Sequence, residues 1–450
     1  MGESPLTRRE LAARAASSFF GAPLLLPARP RGHPPPSERI TVGVIGIGAM
    51  GAGHVGRCLG DPSVQVIAVC DVDRLRREQA RGRVDAAYSQ ARPGASFKGC
   101  AAYNDYREML ARPDLDGVII ATPDHWHALQ SVDAARAGKD VYCEKPISLT
   151  IAEGRRVVDV MRQCATVFQT GTQYRSMPPI RAACRFIREG GLGKVRHVFT
   201  QWSRVDGACV PSSAPAPAEP VPEGLDWDLW VGPAPWRPYS SRFHRNPSPG
   251  VVPWAFCEDF GAASVTWHHS HSADVIQWAL GMERSGPVEI LPPGNGAFPT
   301  LTCRWANGTL LHLVDDWQQV KQLYRAVPED ARLGGMFGGL FVGERGWVNA
   351  NYNVVIDGGP SGILEEMELP ARQASGANNH HANWLECIRT RGRTSTDEEI
   401  GHRSASLGHL THVAFRLGRN LRWDPAREEF VGDPEANRLR ARALREPWRM

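Results

Sequence analysis

The most constraining feature of the chain is a short apolar run that leads into three glycines. Residues 42–51 read Val-Gly-Val-Ile-Gly-Ile-Gly-Ala-Met-Gly, so an expected strand runs into the pattern G-x-G-x-x-G at Gly46, Gly48 and Gly51. A second expected strand ends at Asp71, about twenty residues beyond the last glycine. A strand, a glycine turn, a helix and an acid at that distance predict a dinucleotide-binding βαβ unit.

Each glycine has its own physical task in such a unit. Gly46 permits the tight turn, Gly48 has no side chain to keep a pyrophosphate from the backbone, and Gly51 lets the next helix pack closely. We expect that helix to begin at Ala49 and Met50, whose N–H groups face the phosphates together with the positive end of the helix dipole. Taken alone, the glycines could also form a loop that binds nothing.

The acid at the end of the second strand selects among dinucleotides. Asp71 can accept hydrogen bonds from both hydroxyls of the adenosine ribose, and its charge would repel a 2′-phosphate. Arg74, three residues on, weakens that preference. The predicted cofactor is therefore NAD, with NADP as the less favoured choice.

The overall composition excludes several classes of partner. The chain has 450 residues, a formal net charge of +4, 42% hydrophobic and 22% charged residues, as in a folded globular protein. No block of like charges suggests nucleic acid or an anionic membrane as a partner, and no apolar run beyond the N-terminus is long enough for a transmembrane helix. The ten cysteines contain no C-x-x-C spacing and say little about the redox compartment.

Residues 1–38 form a separate N-terminal segment. Arg8 and Arg9 precede a weakly apolar run, and a tract rich in proline, arginine and glycine follows it. This order resembles a twin-arginine (Tat) export signal and a linker, which predicts a periplasmic or otherwise exported protein. Arg14 interrupts the apolar region and no clean A-x-A site follows, so a disordered extension of a cytoplasmic protein is the alternative.

The rest of the chain is predicted to form two domains. Residues 39–175 alternate strands and helices, which predicts a doubly wound parallel sheet with ligands at the carboxyl ends of its strands. Residues 176–450 contain strand-like segments joined by short turns, including Asn307-Gly308, and predict an α+β domain with an open, mostly antiparallel sheet. A long insertion, 205–281, contains many tryptophans, which argues against disorder.

Further motifs follow the other expected strands of the first domain and open a helix of the second. They are Ala121-Thr122-Pro123-x-x-x-His127, Glu144-Lys145-Pro146 and His271-x-x-Asp274. With the glycine turn, these motifs make residues 40–448 resemble the Gfo/Idh/MocA family, the glucose-fructose oxidoreductase and inositol dehydrogenase group. Residues 225–236, 399–404 and 421–424 resemble a bacterial branch of that family that is often exported by the Tat route. The resemblance implies a Rossmann domain, a second domain whose open sheet often mediates dimers or tetramers, and NAD(P) chemistry on sugars or polyols.

The resemblance assigns roles around the expected nicotinamide. Lys145 is implied to be the proton donor or acceptor, with the peptide from Glu144 close to the nicotinamide. A lysine partly buried beside an oxidised nicotinamide would have its pKa lowered towards working pH. Thr122, Pro123 and His127 are expected to shape the cofactor loop rather than to react.

A histidine-rich helix start supplies the second catalytic candidate. The resemblance places His271 next to the substrate, with Asp274 one turn on to orient it. Dehydrogenases of the family commonly carry an aspartate four residues before that histidine, where this chain has Trp267. Proton transfer then falls to His271, His268 or His269, or the chemistry has changed. Because neighbouring histidines point to different faces, hydrogen bonds to sugar hydroxyls are favoured over a metal site.

Other side chains are candidates for substrate contacts. Tyr174 is a spare acid or base, and indole rings can stack on the apolar face of a pyranose. For each tryptophan, a place in the core of the insertion is an equally good interpretation. The candidates are Gln173, Tyr174 and Arg175 after one strand, and Trp227, Trp230, Trp236 and Arg237 in the insertion.

Three functions are consistent with this pattern. The first is an NAD(P)-dependent oxidoreductase that acts on a sugar, sugar acid or cyclitol and holds its cofactor tightly. The second is a glycoside hydrolase in which bound NAD transiently oxidises a ring carbon so that the aglycone is eliminated. The third is a cofactor-binding protein without turnover.

Overall fold

The first sheet forms the predicted doubly wound unit. A computed structural model describes residues 38–91, 99–201, 216–244, 253–261, 266, 269–294, 298–352, 356–369 and 376–450, and the following statements concern these residues. In chain order the elements are β1 (Ile40–Ile45), α1 (Ala49–Gly60), β2 (Val64–Cys70), α2 (Arg74–Ala91), β3 (Ala101–Tyr103), α3 (Tyr106–Leu110), β4 (Gly117–Ile120), α4 (Asp124–Arg136), β5 (Asp140–Cys143), α5 (Ile151–Gln163) and β6 (Phe168–Thr170).

The six strands are parallel and lie in the order β3-β2-β1-β4-β5-β6. The order reverses beside β1, which pairs with β2 on one side and with β4 on the other. Crevices at such a switch point are where open α/β sheets bind ligands. The predicted Rossmann sheet is confirmed.

The second sheet follows a short 3₁₀ helix, Gln173–Ser176. Its elements are α6 (Pro178–Arg188), β7 (Val195–Gln201), α7 (Trp227–Val231), α8 (Ser241–His244), α9 (Ser270–Ala279), β8 (Glu289–Leu291), β9 (Leu301–Arg304), β10 (Leu310–Val314), α10 (Trp317–Leu323), β11 (Gly339–Gly343), β12 (Trp347–Ala350), β13 (Asp357–Gly359), α11 (Ile363–Glu366), α12 (Gly376–Thr390), α13 (Glu398–Leu417), β14 (Leu421–Asp424), β15 (Glu429–Phe430) and α14 (Pro434–Arg438).

Nine strands form this sheet in the order β13-β12-β11-β7-β10-β9-β8-β14-β15. Only β7 and β10 pair in parallel; the other neighbours are antiparallel, which confirms the predicted sheet type. Successive residues point to opposite faces, so Val198 packs under α6, α9 and α13, whereas Phe199 packs with α10 on the other face. The strand after the Asn307-Gly308 turn ends at Val314, because Asp316 caps α10.

Described parts of the insertion lie on the first sheet. Its aromatic residues form a small core of their own, and Leu225 bridges to Asp73 just after β2. The insertion therefore covers one end of the crevice at the switch point.

Residues 1–37, which include the predicted export signal, lie outside the described residues. Among the helices that are described, none is both long and apolar enough to cross a bilayer.

Candidate active site

A cavity of about 470 Å³ lies at the carboxyl ends of the parallel strands. It reaches from the glycine turn and the end of β2 to the start of α9 in the second domain. Of the predicted site residues, it is lined by Gly46, Gly48, Ala49, Met50, Asp71, Thr122, Pro123, His127, Glu144, Lys145, Gln173, Tyr174 and His271. The structure thus brings most of the predicted site together.

The glycine turn has the close packing that the sequence pattern requires. Gly46 has a φ of +85°, and a Cβ there would lie 2.7 Å from the backbone nitrogen of Thr122. A Cβ on Gly51 would lie 1.8 Å from the carbonyl oxygen of Gly46. Gly51 therefore stays outside the cavity lining and sets the approach of α1 to β1. The N-terminus of α1 begins after Gly48 without a side-chain cap, so its N–H groups remain available to a ligand.

Gly51→Ala is expected to weaken NAD binding by about 5- to 150-fold, because α1 must move away from the turn at a cost of about 1–3 kcal/mol. Gly53→Ala on the same helix is the matched control, since a Cβ there meets nothing within 4 Å. Calorimetric titration with NAD measures both. Equal affinities in the two variants would contradict the packing role of Gly51.

Asp71 holds the glycine turn from the neighbouring strand. Its Oδ2 accepts a hydrogen bond of 2.6 Å from the Ile47 N–H, and Oδ1 accepts one of 2.9 Å from Asp73 N–H. Burial raises the pKa of Asp71, and these backbone donors act against that rise. The carboxylate thus fixes the turn as well as facing the cavity.

The arginine near this end of the cavity is not the predicted one. Arg74 points to Glu223 at 2.8 Å and does not line the cavity. Arg76 does line it, and its Nη1 lies 4.0 Å from where a Cβ of Gly48 would be. Arg76 pairs with Asp73 at 3.6 Å. A helix rotates by about 100° per residue, so two positions decide which side chain faces a ligand.

This end of the cavity is closed by part of the insertion, of which the sequence predicted only Trp230 as a contact. Trp230, His244 and Trp254 line it beside Asn104. Asn104 donates a hydrogen bond of 2.9 Å to the carboxylate of Asp226, the residue that caps α7. The only sequence signal was the aromatic content of the insertion.

The predicted aromatic wall for a sugar is corrected. Trp227 and Trp230 are buried and stacked on each other with centroids 4.6 Å apart. Trp236 is 59% exposed and outside the cavity lining. Arg237 pairs with Asp259 at 3.1 Å and packs over Phe243. Of these groups only Trp230 lines the cavity, at its Asp71 end, and the insertion uses the others for its own core and surface.

Lys145 occupies the other end of the cavity. It is half-buried, directly after Glu144, and Asp124 also lines the cavity nearby. Burial lowers the pKa of Lys145, while the charges of Glu144 and Asp124 oppose that change. Burial alone would raise the pKa of Glu144, but the hydrogen bond from His54 holds it below its usual value. A lysine of lowered pKa beside a carboxylate that stays ionised is suited to accept and return a proton.

His127 connects the two strand exits, as the sequence predicted for a residue that shapes the loop. Its Nδ1 lies 2.7 Å from the carbonyl oxygen of Pro146 and its Nε2 2.8 Å from that of Thr122. Burial lowers the pKa of His127. The imidazole is therefore uncharged at neutral pH, and it donates a hydrogen bond to only one of these two carbonyl oxygens at a time.

Tyr174 and His271 meet at the Lys145 end. Their ring centroids lie 4.3 Å apart, and Tyr174 also stacks on Phe337 at 5.0 Å. Burial and the neighbouring Tyr352 raise the pKa of Tyr174, so the phenol stays protonated. Tyr174 is thereby disfavoured as a base and suited to donate a hydrogen bond. Gln173 lines the cavity beside it.

Arg175 and Asp274 lie behind the cavity wall, which corrects the expectation that they contact substrate. Arg175 Nη2 lies 2.6 Å and Nε 3.0 Å from the two carboxylate oxygens of Asp274, and Nη1 lies 2.8 Å from Glu283. Both members of the pair are buried. The pair fixes the segment that carries Tyr174 to α9, which carries His271.

Of the two histidines that precede α9 in the predicted site, the structure describes only His269. His269 is buried just before α9 and does not line the cavity, which corrects its assignment as a substrate contact. His268 and Trp267 lie outside the described residues. No group of three or more potential ligand side chains that could hold a metal ion occurs among the residues the structure describes.

The donor set fits a dinucleotide. Gly48 lines the cavity without a side chain, the N-terminus of α1 has no side-chain cap, and Asp71 lines the cavity where the ribose of a dinucleotide belongs. Lys145 and His271 then lie at the nicotinamide end.

Family models match both parts of the chain. The model described as the oxidoreductase family's NAD-binding Rossmann fold matches residues 40–172, and that of its C-terminal alpha/beta domain matches residues 212–308 and 356–450. The chain belongs to the Gfo/Idh/MocA oxidoreductase family. Together the two matches cover well over half of the chain, which confirms the resemblance at the level of the family.

Curated relatives are similar over shorter stretches. An alpha-N-acetylgalactosaminidase of Shewanella oneidensis is 37% identical over 128 residues, which are 28% of this chain and 26% of that protein. A levoglucosan dehydrogenase of Pseudarthrobacter phenanthrenivorans is 30% identical over 158 residues, 35% of this chain and 39% of the relative. The matches thus span about a quarter to two-fifths of these relatives' own lengths.

Solved structures share the fold over most of the chain. A levoglucosan dehydrogenase in complex with NADH and levoglucosan has a TM-score of 0.56 at 18% identity, and the match covers 88% of this chain and 100% of that one. The WlbA dehydrogenase of Bordetella pertussis, in complex with NADH and UDP-GlcNAcA, has a TM-score of 0.56 at 18% identity, with 87% and 99% covered. At these identities the likeness shows the fold.

Proposed function

We propose that this oxidoreductase oxidises a hydroxyl group of a sugar, sugar acid or cyclitol with a tightly held NAD. The observation that carries the proposal is the arrangement of one cavity, with the dinucleotide cradle at one end and Lys145, Tyr174 and His271 at the other. Levoglucosan and UDP-GlcNAcA, the ligands of the two solved relatives, are both carbohydrates.

The chain's own residues supply the proton chemistry. NAD, when bound, supplies the hydride acceptor. Lys145, whose pKa burial lowers, takes the proton of the substrate hydroxyl in its neutral form. Tyr174 orients the hydroxyl as a hydrogen-bond donor, and His271 holds the substrate from α9. The walls of the cavity exclude water during transfer.

For the cofactor, we propose NAD over NADP. The carboxylate of Asp71 lies where a 2′-phosphate would approach, and Arg76 is already paired with Asp73. Calorimetric titration should give an affinity for NAD about tenfold or more above that for NADP, an energy difference of about 1.4 kcal/mol. Tighter binding of NADP would mean that Arg76 leaves Asp73 to meet the phosphate.

A second candidate is an NAD-dependent glycosidase that works by transient ring oxidation and elimination. The similarity to several proteins named as glycosyl hydrolase family 109 members supports it. Here too Lys145 would handle the proton, and the cofactor would be restored in each cycle. A cofactor-binding protein without turnover is the third candidate.

One experiment separates the three. Purified protein loaded with NAD is mixed with levoglucosan, with a panel of hexoses, uronates and inositols, and with 4-nitrophenyl α-N-acetylgalactosaminide. Stoichiometric appearance of reduced-nicotinamide absorbance with a free sugar supports the dehydrogenase. Release of nitrophenol without net reduction supports the glycosidase. Tight NAD binding with neither response supports the third candidate and contradicts the first two.

Export and assembly are also part of the proposal. Arg8 and Arg9 support export by a twin-arginine route, in which a protein folds and takes up its cofactor before transport. Fractionation of cells that express the full chain tests this, with Arg8→Lys/Arg9→Lys as the control that should stay in the cytoplasm.

A homo-oligomer through the nine-stranded sheet is proposed from the family resemblance, and the mass of the protein in solution tests it.

A further inference from the structure

A line of buried histidines leaves the catalytic cavity from Glu144. Glu144 Oε1 lies 2.9 Å from Nε2 of His54 on α1, and His54 Nδ1 lies 2.9 Å from Nε2 of His381 on α12. Glu144 and His54 are buried and His381 is 7% exposed. Three titratable groups thus stand in unbroken hydrogen-bond contact.

The far end of this line is a second cavity. A cleft of about 800 Å³ lies between α1 and α12, and His381 lines it together with Arg57, Trp384 and Leu385. His54 lines neither cavity but connects residues that line each of them. The described part of the chain offers no hydrogen-bond partner to His381 Nδ1, so that nitrogen is left to exchange with water in the cleft.

A proton path through these histidines is needed when a dinucleotide and a substrate occupy the catalytic cavity. A dinucleotide and a sugar displace the water beside Lys145, yet each hydride transfer releases or takes up one proton there. Lys145 and Glu144 line the same cavity, and the charge of Glu144 acts on Lys145. The inference includes one water retained between them to pass the proton. From Glu144 the proton needs a route that does not run through the bound ligands.

We propose that Glu144, His54 and His381 form a proton relay between the catalytic cavity and the cleft behind α1. Inward, water in the cleft gives a proton to His381 Nδ1, His381 Nε2–H passes its proton to His54 Nδ1, and His54 Nε2–H passes its proton to Glu144 Oε1. Outward, each transfer is reversed. No bond other than N–H and O–H changes, and no charge remains on either ring.

The surroundings favour one resting arrangement. Arg57 Nη1 lies 3.2 Å from His54 Nδ1 and favours a lone pair on that nitrogen in the resting state. His54 therefore carries its hydrogen on Nε2, facing the ionised Glu144, and accepts on Nδ1 from His381. Tyr142 packs against both rings, with centroids 5.3 Å from His54 and 4.6 Å from His381. Burial and the neighbouring His54 lower the pKa of His381, which keeps that ring neutral.

The relay resets when the hydride direction reverses. From the resting arrangement the relay runs inward first, as the reduction half of a cycle requires, and this transfer moves the hydrogen of both rings to Nδ1 and protonates Glu144. Once Glu144 has given that proton to the cavity, Nε2 of each ring is a free acceptor, so the proton released by the oxidation half can run outward and restore the resting arrangement. A cycle that alternates reduction with oxidation on a retained cofactor therefore needs no ring rotation. This inference rests on the proposed function, because only hydride transfer creates a need for protons at Lys145.

The first test uses no substrate. With ¹⁵N-labelled histidine in the NAD-loaded full chain, NMR measures how fast the Nε2 proton of His54 exchanges with solvent. His381→Phe keeps a ring of similar size but removes the relay nitrogens, and should slow this exchange about tenfold or more. Leu385→Ala, which opens the same cleft without touching the relay, should leave it unchanged. Equal exchange in all three proteins would overturn the relay, whatever the protein's activity.

The second test uses turnover with the probe that responds best in the panel above. His381→Ala should turn over about tenfold more slowly while it keeps bound NAD, and imidazole in the buffer should restore much of the rate by entering the vacated space. Leu385→Ala should keep the wild-type rate. Loss of bound NAD in His381→Ala, or no rescue by imidazole, would make His381 a packing residue and overturn the proposal. A wild-type chain inactive on every probe counts against the proposed function instead, and the exchange experiment still decides on the relay.

Discussion

Replacing Lys145 with methionine should slow hydride transfer by about 10³-fold while the protein keeps its bound NAD, because the substrate hydroxyl loses its proton acceptor. Rapid mixing of the NAD-loaded variant with the best sugar probe, followed by reduced-nicotinamide absorbance, measures the step. Retained turnover would remove Lys145 from its assigned role. Lys145→Arg is the matched control for charge, since a guanidinium stays protonated at these pH values. It should be as slow as the methionine variant.

The pH dependence of the same step has a defined sign. Oxidation needs neutral Lys145, so the rate should rise with pH and level off above the pKa of that lysine. Because burial lowers this pKa, the plateau should begin below the 10.5 of an ordinary lysine. Tyr174→Phe should keep this rising limb and lose only a few-fold in rate, since the raised pKa of Tyr174 keeps it from acting as a base. If the rise of the rate with pH is absent in Tyr174→Phe, Tyr174 and not Lys145 is the base.

The largest effect on stability is expected at the buried ion pair behind the cavity. Burial raises the pKa of Asp274, and the guanidinium of Arg175 offsets part of that rise. Arg175→Met leaves the carboxylate of Asp274 buried without its bidentate partner, which should lower the free energy of unfolding by about 3–5 kcal/mol. Urea denaturation followed by tryptophan fluorescence measures the loss.

A double variant distinguishes the loss of the Arg175–Asp274 attraction from the cost of leaving the Asp274 carboxylate buried without a partner. Arg175→Met/Asp274→Leu removes both charges, and Glu283 keeps its contact with Arg188. We expect it to recover most of the stability lost in the single variant, because a buried pair replaced by apolar groups is often neutral. If the double variant is as unstable as the single one, packing and not charge makes this site important.

Much of the cofactor end could be predicted from the sequence. The glycine turn and Asp71 have fixed spacing, and residues that follow parallel strands must meet at one edge of the sheet. For that reason Thr122, Glu144 and Lys145 line the same cavity, as expected. These statements depend on local patterns and on sheet topology alone.

The rest depends on how distant segments approach one another. Arg175 follows a strand exit like Lys145, but α9 brings Asp274 against it and makes it structural. His54 stands three residues after Gly51 and looks like an ordinary helix residue, yet its partner His381 lies 327 positions away. In the insertion, sequence alone could not tell the buried Trp230 from the exposed Trp236. No local rule supplies these pairings.

The central claim is that a dinucleotide lies in this cavity with its nicotinamide beside Lys145. A crystal structure of the protein grown with saturating NAD tests it most directly. We expect density from Asp71, along the N-terminus of α1, to a nicotinamide ring in contact with the Lys145 side chain. An empty cavity at saturating NAD, or a nucleotide bound elsewhere, would contradict it.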